Sequence, residues 1–481
     1  MPSLINATFW SSIQRFGGLA IGFISNIVLA RLLCPEDFGT LGLIMVFVGI
    51  ADVLVDGGLG NALIQKKEIN GNDISTVFTT NLLVSVILFV ALFFFAPAIS
   101  SYVNIDSFDL FLRVEAIMVL LRAFYVVHFS LINRDMEFKK LAKIQLSANF
   151  ISTIIAISLA YSGMGVWSLI IRNLSLDAFS LCFYHLEKKT KLSLHIYKDS
   201  FKQLFSYGIF VAIANVVESL YSNTLSFILG KKYSVKDLGY YNQAHSLEQI
   251  PVYSITSILN QVFFPFLSRE QEDLDKMRSD VLQSIRIMSF FIYPLMFFLI
   301  CFAKPIIVIL YSEKWLPAVP FFQILCVIGF TNFIYHLNRS VLKAIGKTKM
   351  LLYLQITVSA LGVLLTICAI PLGIYAVISS SVLNSVIGLM IIVLFSGRQI
   401  QLHLSQQIKA VLLNFVSSAI VAAIVYYIFS LVTWQVFIEL LFGFMAFVAL
   451  YLSVQLLFDG ATVKLIISVV KNKIRINKSK S

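Results

Sequence analysis

The residues in this chain that can do chemistry are few, and they recur at helical spacing inside apolar runs. Arg15, Gly18, Gly22 and Asn26 follow at intervals of three, four and four, which stacks them on one helix face. Gly49, Asp52, Asp56 and Gly60 form a second such line, and Glu115 and Arg122 lie seven apart. Arg172 and Asp177 share a segment, as do Tyr207, Asn215, Glu218 and Ser222, then Tyr241, His245 and Glu248, then Asn332, His336, Arg339 and Lys343. A guanidinium offers paired N–H donors that match two phosphate oxygens. Arg15, Arg122, Arg172 and Arg339 are therefore candidate cavity cations. Asn26, Tyr207, Asn215, Asn332 and His336 can meet hydroxyl groups, and Asp52, Asp56, Glu218 and Glu248 are candidates for proton or sodium coupling. Each has a structural alternative. Arg–Asp and Arg–Glu pairs can lock helices together, Asp56 can cap at Gly57-Gly58, Arg15 can snorkel to the interface, and the glycine spacings suit close helix packing.

Metal and cofactor chemistry find no motif. Cys34, Cys182, Cys301, Cys326 and Cys368 are far apart and form no CxxC or Cys/His ligand spacing, so neither a zinc site nor a disulfide framework is expected. No GxxxxGK[ST] loop is present, so ATP is not expected to drive the protein.

The elements that must position these residues follow from composition. Of 481 residues, 58% are hydrophobic and 13% charged, against about 45–50% and about 25% in soluble domains. No water-soluble surface can be built from such a chain, which excludes soluble enzymes and nucleic-acid binding. A span needs about 20 apolar residues. Fourteen candidates are read, at 9–33, 38–64, 75–99, 108–132, 141–162, 165–186, 204–229, 237–265, 285–311, 318–342, 350–371, 373–396, 409–430 and 434–458. The fold expected is an all-α polytopic membrane protein. A charge at mid-bilayer costs about 2.5–3.5 kcal/mol on insertion scales, so the polar helix faces imply a shared polar or wet interior. The first run is too long for a cleavable signal peptide and reads as a retained span.

The net charge of +12 sorts by loop. Of the 37 Lys and Arg, 26 lie in the even-to-odd loops and the tail, and five in the opposite loops. This bias is a positive-inside signal that puts both termini in the cytoplasm. The remaining six arginines lie in or at the ends of spans.

The chain also repeats. Pro35-Glu36-Asp37-Phe38-Gly39 after span 1 is answered by Val235-Lys236-Asp237-Leu238-Gly239 after span 7. Six helices separate the copies, which predicts a parallel repeat of two six-helix bundles. The expected organisation is 1–200 and 201–400 for the bundles, 401–463 for two further spans and 464–481 for a basic cytoplasmic tail.

The run from Ile27 to Gly39, containing Leu29-Ala30-Arg31-Leu32-Leu33 and Pro35-Glu36-Asp37-Phe38-Gly39, resembles a signature of bacterial polysaccharide exporters. Val55 to Gln65 and Met136 to Leu141 are similar to further parts of that pattern. The family is the polysaccharide and lipopolysaccharide flippases of the multidrug/oligosaccharidyl-lipid/polysaccharide exporter superfamily. The resemblance implies translocation of an undecaprenyl-pyrophosphate-linked oligosaccharide across the bacterial inner membrane by alternating access, with cavity cations on the pyrophosphate. It implies no enzymatic activity and no cofactor. The partners implied are the lipid-linked oligosaccharide, membrane lipids, and the polymerase and chain-length components of the pathway. A drug/cation antiporter of the same superfamily and a membrane-embedded polymerase or glycosyltransferase are the alternatives. The antiporter would favour an acidic cavity, and the enzyme would need larger outer loops.

Overall fold

A computed structural model describes residues 4–56, 58–66, 68–187, 192–258, 263, 267, 273–431 and 435–459. The described residues form helices and short connections, without a β-strand. Hydrocarbon offers no partner to a backbone N–H or C=O, and a helix satisfies both within one segment. In order the helices are α1 Leu4–Leu32, α2 Pro35–Asp56, α3 Leu59–Gln65, α4 Gly71–Val103, α5 Phe108–Glu115, α6 Ile117–Arg134, α7 Phe138–Tyr161, α8 Val166–Glu187 and α9 Lys198–Lys232. There follow α10 Val235–Ile258, α11 Leu274–Cys301, α12 Ala303–Tyr311, α13 Ala318–Cys326, α14 Gly329–Ala344, α15 Thr348–Ala369, α16 Ile374–Ile400, α17 Leu404–Ser430 and α18 Val436–Phe458.

Each of the fourteen expected spans coincides with one or two helices, and the fold is the all-α polytopic one expected. Among the described residues, eleven helices are long and apolar enough to cross a membrane by length and composition. Span 4, broken into α5 and α6, span 7, which is α9, and span 8, which is α10, are not among them. These three carry polar lines read from the sequence. The end of span 8 and the basic tail lie outside the described residues.

Span 4 breaks at Ala116, and span 10 breaks at Val327-Ile328 between α13 and α14. Both then end in the same way. Met136 and, 210 positions later, Gly346 take left-handed backbone, with φ of 56° and 75°. Glu137 N donates to Ile132 O at 3.1 Å, and Lys347 N to Leu342 O at 2.9 Å. These bonds satisfy carbonyls that a helix end leaves unpaired. The repeat read from a five-residue motif thus extends to a pair of broken helices with matching ends.

Two compact units are defined by contacts, Met1–Asn242 and Gln243–Ser481. In the first, α1 packs on α7, α7 on α8, and α6 on both α4 and α8. Helix α9 packs on α2, α3 and α4, so it joins the first unit, and the boundary falls inside α10. In the second unit, α14 and α15 pack on α16, and α17 on α11. Spans 13 and 14 are fastened by polar contacts: in the interior Asn414 Nδ2 donates to Ser289 Oγ at 2.7 Å and Gln455 Nε2 donates to Ser417 Oγ at 2.7 Å, and an exposed Arg286 pairs with the buried Asp459. Between apolar helices in lipid such bonds supply the cohesion that the hydrophobic effect cannot.

Candidate functional site

The charged faces of the first unit converge on Arg122. Helix α6 carries it between Asp52 of α2 and Asp177 of α8, and it is ion-paired to both. Its Nε lies 3.1 Å from Asp177 Oδ2, and Tyr125 donates its hydroxyl to Asp177 Oδ1 at 2.9 Å. Tyr125 lies three residues after Arg122 and so shares its face. Asp177 is 4% exposed while Arg122 and Asp52 are 28% and 21% exposed. The cluster is therefore buried at its α8 side and reachable at its α2 side.

Glu115 sits at the end of α5, at the helix break, and is fully buried. Asn173 of α8 donates to its Oε1 at 2.8 Å, while Oε2 has no hydrogen-bond partner among the described residues. Arg172, next to Asn173, is half-buried on α8, and its Nε has no such partner either. Asp52 and Asp177 set two carboxylates against Arg122, and Glu115 lies beside them on the α8 side through Asn173. The set can hold or exchange a proton, or lock α2, α6 and α8 in one register.

A second polar line lies on α14 in the second unit. Asn332, His336 and Arg339 are half-buried there. Arg339 donates from Nη2 to Gln355 Oε1 of α15 at 2.8 Å, a neutral acceptor. Beside it Asn338 is buried in a neutral network, with Gln407 Oε1 at 2.9 Å and Ser396 Oγ at 2.6 Å. The sequence holds no Asp or Glu between Glu313 and Glu439. No carboxylate of spans 10 to 13 can neutralise Arg339. That acid-free stretch was open to sequence reading and is a stronger pointer to an anionic ligand than the arginine alone. Gln355, by contrast, carried no signal.

The other predicted residues are dispersed. Arg15 and Asn26 are half-buried on α1, Asn215 is half-buried on α9, and Glu218 is exposed there. Glu248 of α10 is buried, accepts from Gln249 at 3.1 Å on Oε2, and has no hydrogen-bond partner for Oε1 among the described residues. Asp56 ends α2 and Tyr207 lies on α9, and both side chains fall outside the described residues. Among the described residues no cluster of His, Cys, Asp and Glu could hold a metal ion.

The two copies of the repeated motif meet inside the first unit. A Cβ placed on Gly39 would overlap the carbonyl oxygen of Val235, and one placed on Gly239 would overlap that of Pro35. The contact is reciprocal: each motif's glycine backs onto the first residue of the other. Glu36 pairs with Lys236 across it at 3.2 Å, and Asn242 Nδ2 donates to Phe38 O at 3.3 Å. Only glycine permits this approach of two backbones.

Comparison with known proteins agrees with this architecture. A family model described as polysaccharide biosynthesis protein matches residues 28–320. The teichuronic acid biosynthesis protein TuaB of Bacillus subtilis (strain 168) is 25% identical over 439 residues, covering 89% of this chain and 90% of that one. The lipopolysaccharide biosynthesis protein WzxC of Escherichia coli (strain K12) is 24% identical over 353 residues, covering 72% and 69%. Among solved structures, the lipid II flippase MurJ in an inward closed conformation matches with a TM-score of 0.75 at 18% identity, over 94% of this chain and 99% of that one. An inward-facing multidrug resistance MATE transporter matches with a TM-score of 0.62 at 16% identity, over 82% and 98%. The structural likenesses establish the fold. With the family model running from the end of α1 into α13, this multi-pass membrane chain belongs to the polysaccharide biosynthesis protein family.

Proposed function

We propose that the protein translocates undecaprenyl-pyrophosphate-linked oligosaccharide units from the cytoplasmic to the outer face of the bacterial inner membrane, without enzymatic turnover. The observation that carries this reading is Arg339: a half-buried guanidinium on a broken span, held by a neutral glutamine in a stretch that lacks any carboxylate. Such a cation keeps its charge for a ligand, and a pyrophosphate matches the guanidinium fork. Asn332 and His336, on the same face, meet sugar hydroxyls. The polyprenyl tail stays in lipid. The relatives, which include a succinoglycan biosynthesis transport protein, place similar chains in polysaccharide pathways. The loop charge bias supports both termini in the cytoplasm, and partners in polymerisation would meet the protein through the product it delivers.

Alternating access is the mechanism the repeat supports. Under the same orientation, the Gly39–Gly239 seam lies at the outer face, where it would part as the substrate leaves. Arg122, engaged by two aspartates, is a poorer pyrophosphate ligand than Arg339. Its cluster suits coupling, because protonating Asp52 or Asp177 would loosen the clamp, and each charge moved across 100 mV is worth about 2.3 kcal/mol.

The test is complementation. Arg339→Ala, shown by immunoblot to reach the membrane at wild-type level, is expected to abolish surface polysaccharide in a strain lacking the native gene. Arg339→Lys is expected to restore part of it, since the charge remains and the fork is lost. Full polymer from Arg339→Ala would overturn the reading. A drug or cation antiporter is a second reading, favoured by the carboxylate excess around Arg122. It predicts raised drug tolerance on expression and unchanged polysaccharide in the null strain.

A further inference from the structure

Helices α15 and α16 leave a slot of about 530 Å³ between them, lined by Met350, Tyr353, Leu354 and Thr357 of α15 and by Ile391 and Phe395 of α16. Leu354 is buried at its floor, while Tyr353 is 70% exposed at its rim. The lining is apolar apart from two hydroxyls. One end is cationic. Lys349 adjoins Met350, Lys347 is the residue before α15, and Arg398 lies one turn beyond Phe395 with its guanidinium carbon 6.0 Å from that ring's centre. All three cations are exposed. The acid-free stretch from 314 to 438 includes the whole of both helices, so no carboxylate on either can pair with them.

An apolar trough with an unneutralised cationic end is complementary to an amphiphile with an anionic head. We propose that this slot binds an anionic phospholipid of the cytoplasmic leaflet, with an acyl chain along Leu354, Ile391 and Phe395 and the phosphate on Arg398 and Lys349. The inference rests on the membrane orientation given by the loop charges and not on the translocation reading, so either can fail without the other. Leaflet and slot agree, because the cations lie at the end where 26 of the 37 Lys and Arg gather. Polybasic ends of spans attract anionic headgroups there, and the trough adds the apolar contact that fixes one lipid rather than a diffuse layer.

The experiment uses the full-length protein in a neutral detergent, titrated with phosphatidylglycerol or with phosphatidylcholine of the same acyl chains, and read by native mass spectrometry. Wild type is expected to prefer phosphatidylglycerol, with each cation contributing about fivefold. Lys349→Gln combined with Arg398→Gln is expected to remove that preference and leave phosphatidylcholine binding unchanged. Both residues are exposed, so folding is not at stake. Thr357→Trp, which fills the trough, is expected to weaken both lipids. Equal binding of the two lipids by wild type overturns the proposal, and so does a preference that survives the double substitution. Displacement of phosphatidylglycerol by excess inorganic phosphate would also overturn it, by showing a free-anion site without a lipid trough.

Discussion

Arg122 and Arg339 are alike in sequence terms, each a deep arginine in an expected span, yet their surroundings give them different tasks. Arg122 is held by Asp52 and Asp177, and Tyr125 fixes the second carboxylate. Removing one member of a buried pair strands the other, at a cost of about 3–5 kcal/mol. Arg122→Gln should therefore lower the unfolding midpoint in detergent markedly, because Asp177 is 4% exposed. Arg122→Gln combined with Asp177→Asn should recover most of the loss. A double variant no more stable than the single one would show that the pair is not what holds these helices. The sequence displayed Arg122, Asp52 and Asp177 on their helix faces, while Tyr125 stood out only once its hydroxyl was seen on Asp177. It could not show which carboxylate meets which arginine, since that depends on how α2, α6 and α8 rotate against one another. Glu115 was legible as a buried acid, but its place at a helix break was not, because no proline or glycine marks Ala116.

At the scale of elements, the fourteen spans were readable because length and hydropathy are local properties. The breaks in spans 4 and 10 were not, because no proline marks either and packing sets the interruption. Gly329, the first residue of α14, shows this: a Cβ there would overlap Met296 of α11. The glycine lines of α1 had the opposite outcome. They suggested close helix packing, but Gly18 and Gly22 have no atom within 4 Å of an added Cβ. Approach of one backbone to another helix's backbone is enforced instead at Gly39 and Gly239, the ends of the repeated motif. Gly22→Ala is therefore expected to be neutral or stabilising by about 0.5–1 kcal/mol. Gly39→Ala and Gly239→Ala are each expected to destabilise by about 1–3 kcal/mol, the usual cost of forcing atoms into a packed contact. Thermal unfolding of the three variants in one detergent checks the contrast, and an equal effect from all three would remove the role given to the seam.

For the molecule as a whole, the loop charges make a prediction about sidedness that needs no substrate. Cys34 is exposed in the turn between α1 and α2, which the charge bias places outside. A membrane-impermeant maleimide should label it in intact spheroplasts, while a cysteine introduced at Lys347 should react only after the membrane is opened. The reverse pattern would invert the topology and with it the direction of transport. The seam described above has a consequence for speed. It joins the two motifs chiefly by backbone approach, and the one ion pair across it, Glu36 with Lys236, is half exposed on both sides. Parting such a joint uncovers carbonyl oxygens, which water can hydrate at once, and strands no buried charge. A latch without a buried ion pair opens with no stranded charge to hold it back, so the rate of a full cycle is expected to follow the cargo more than the salt or pH at this contact.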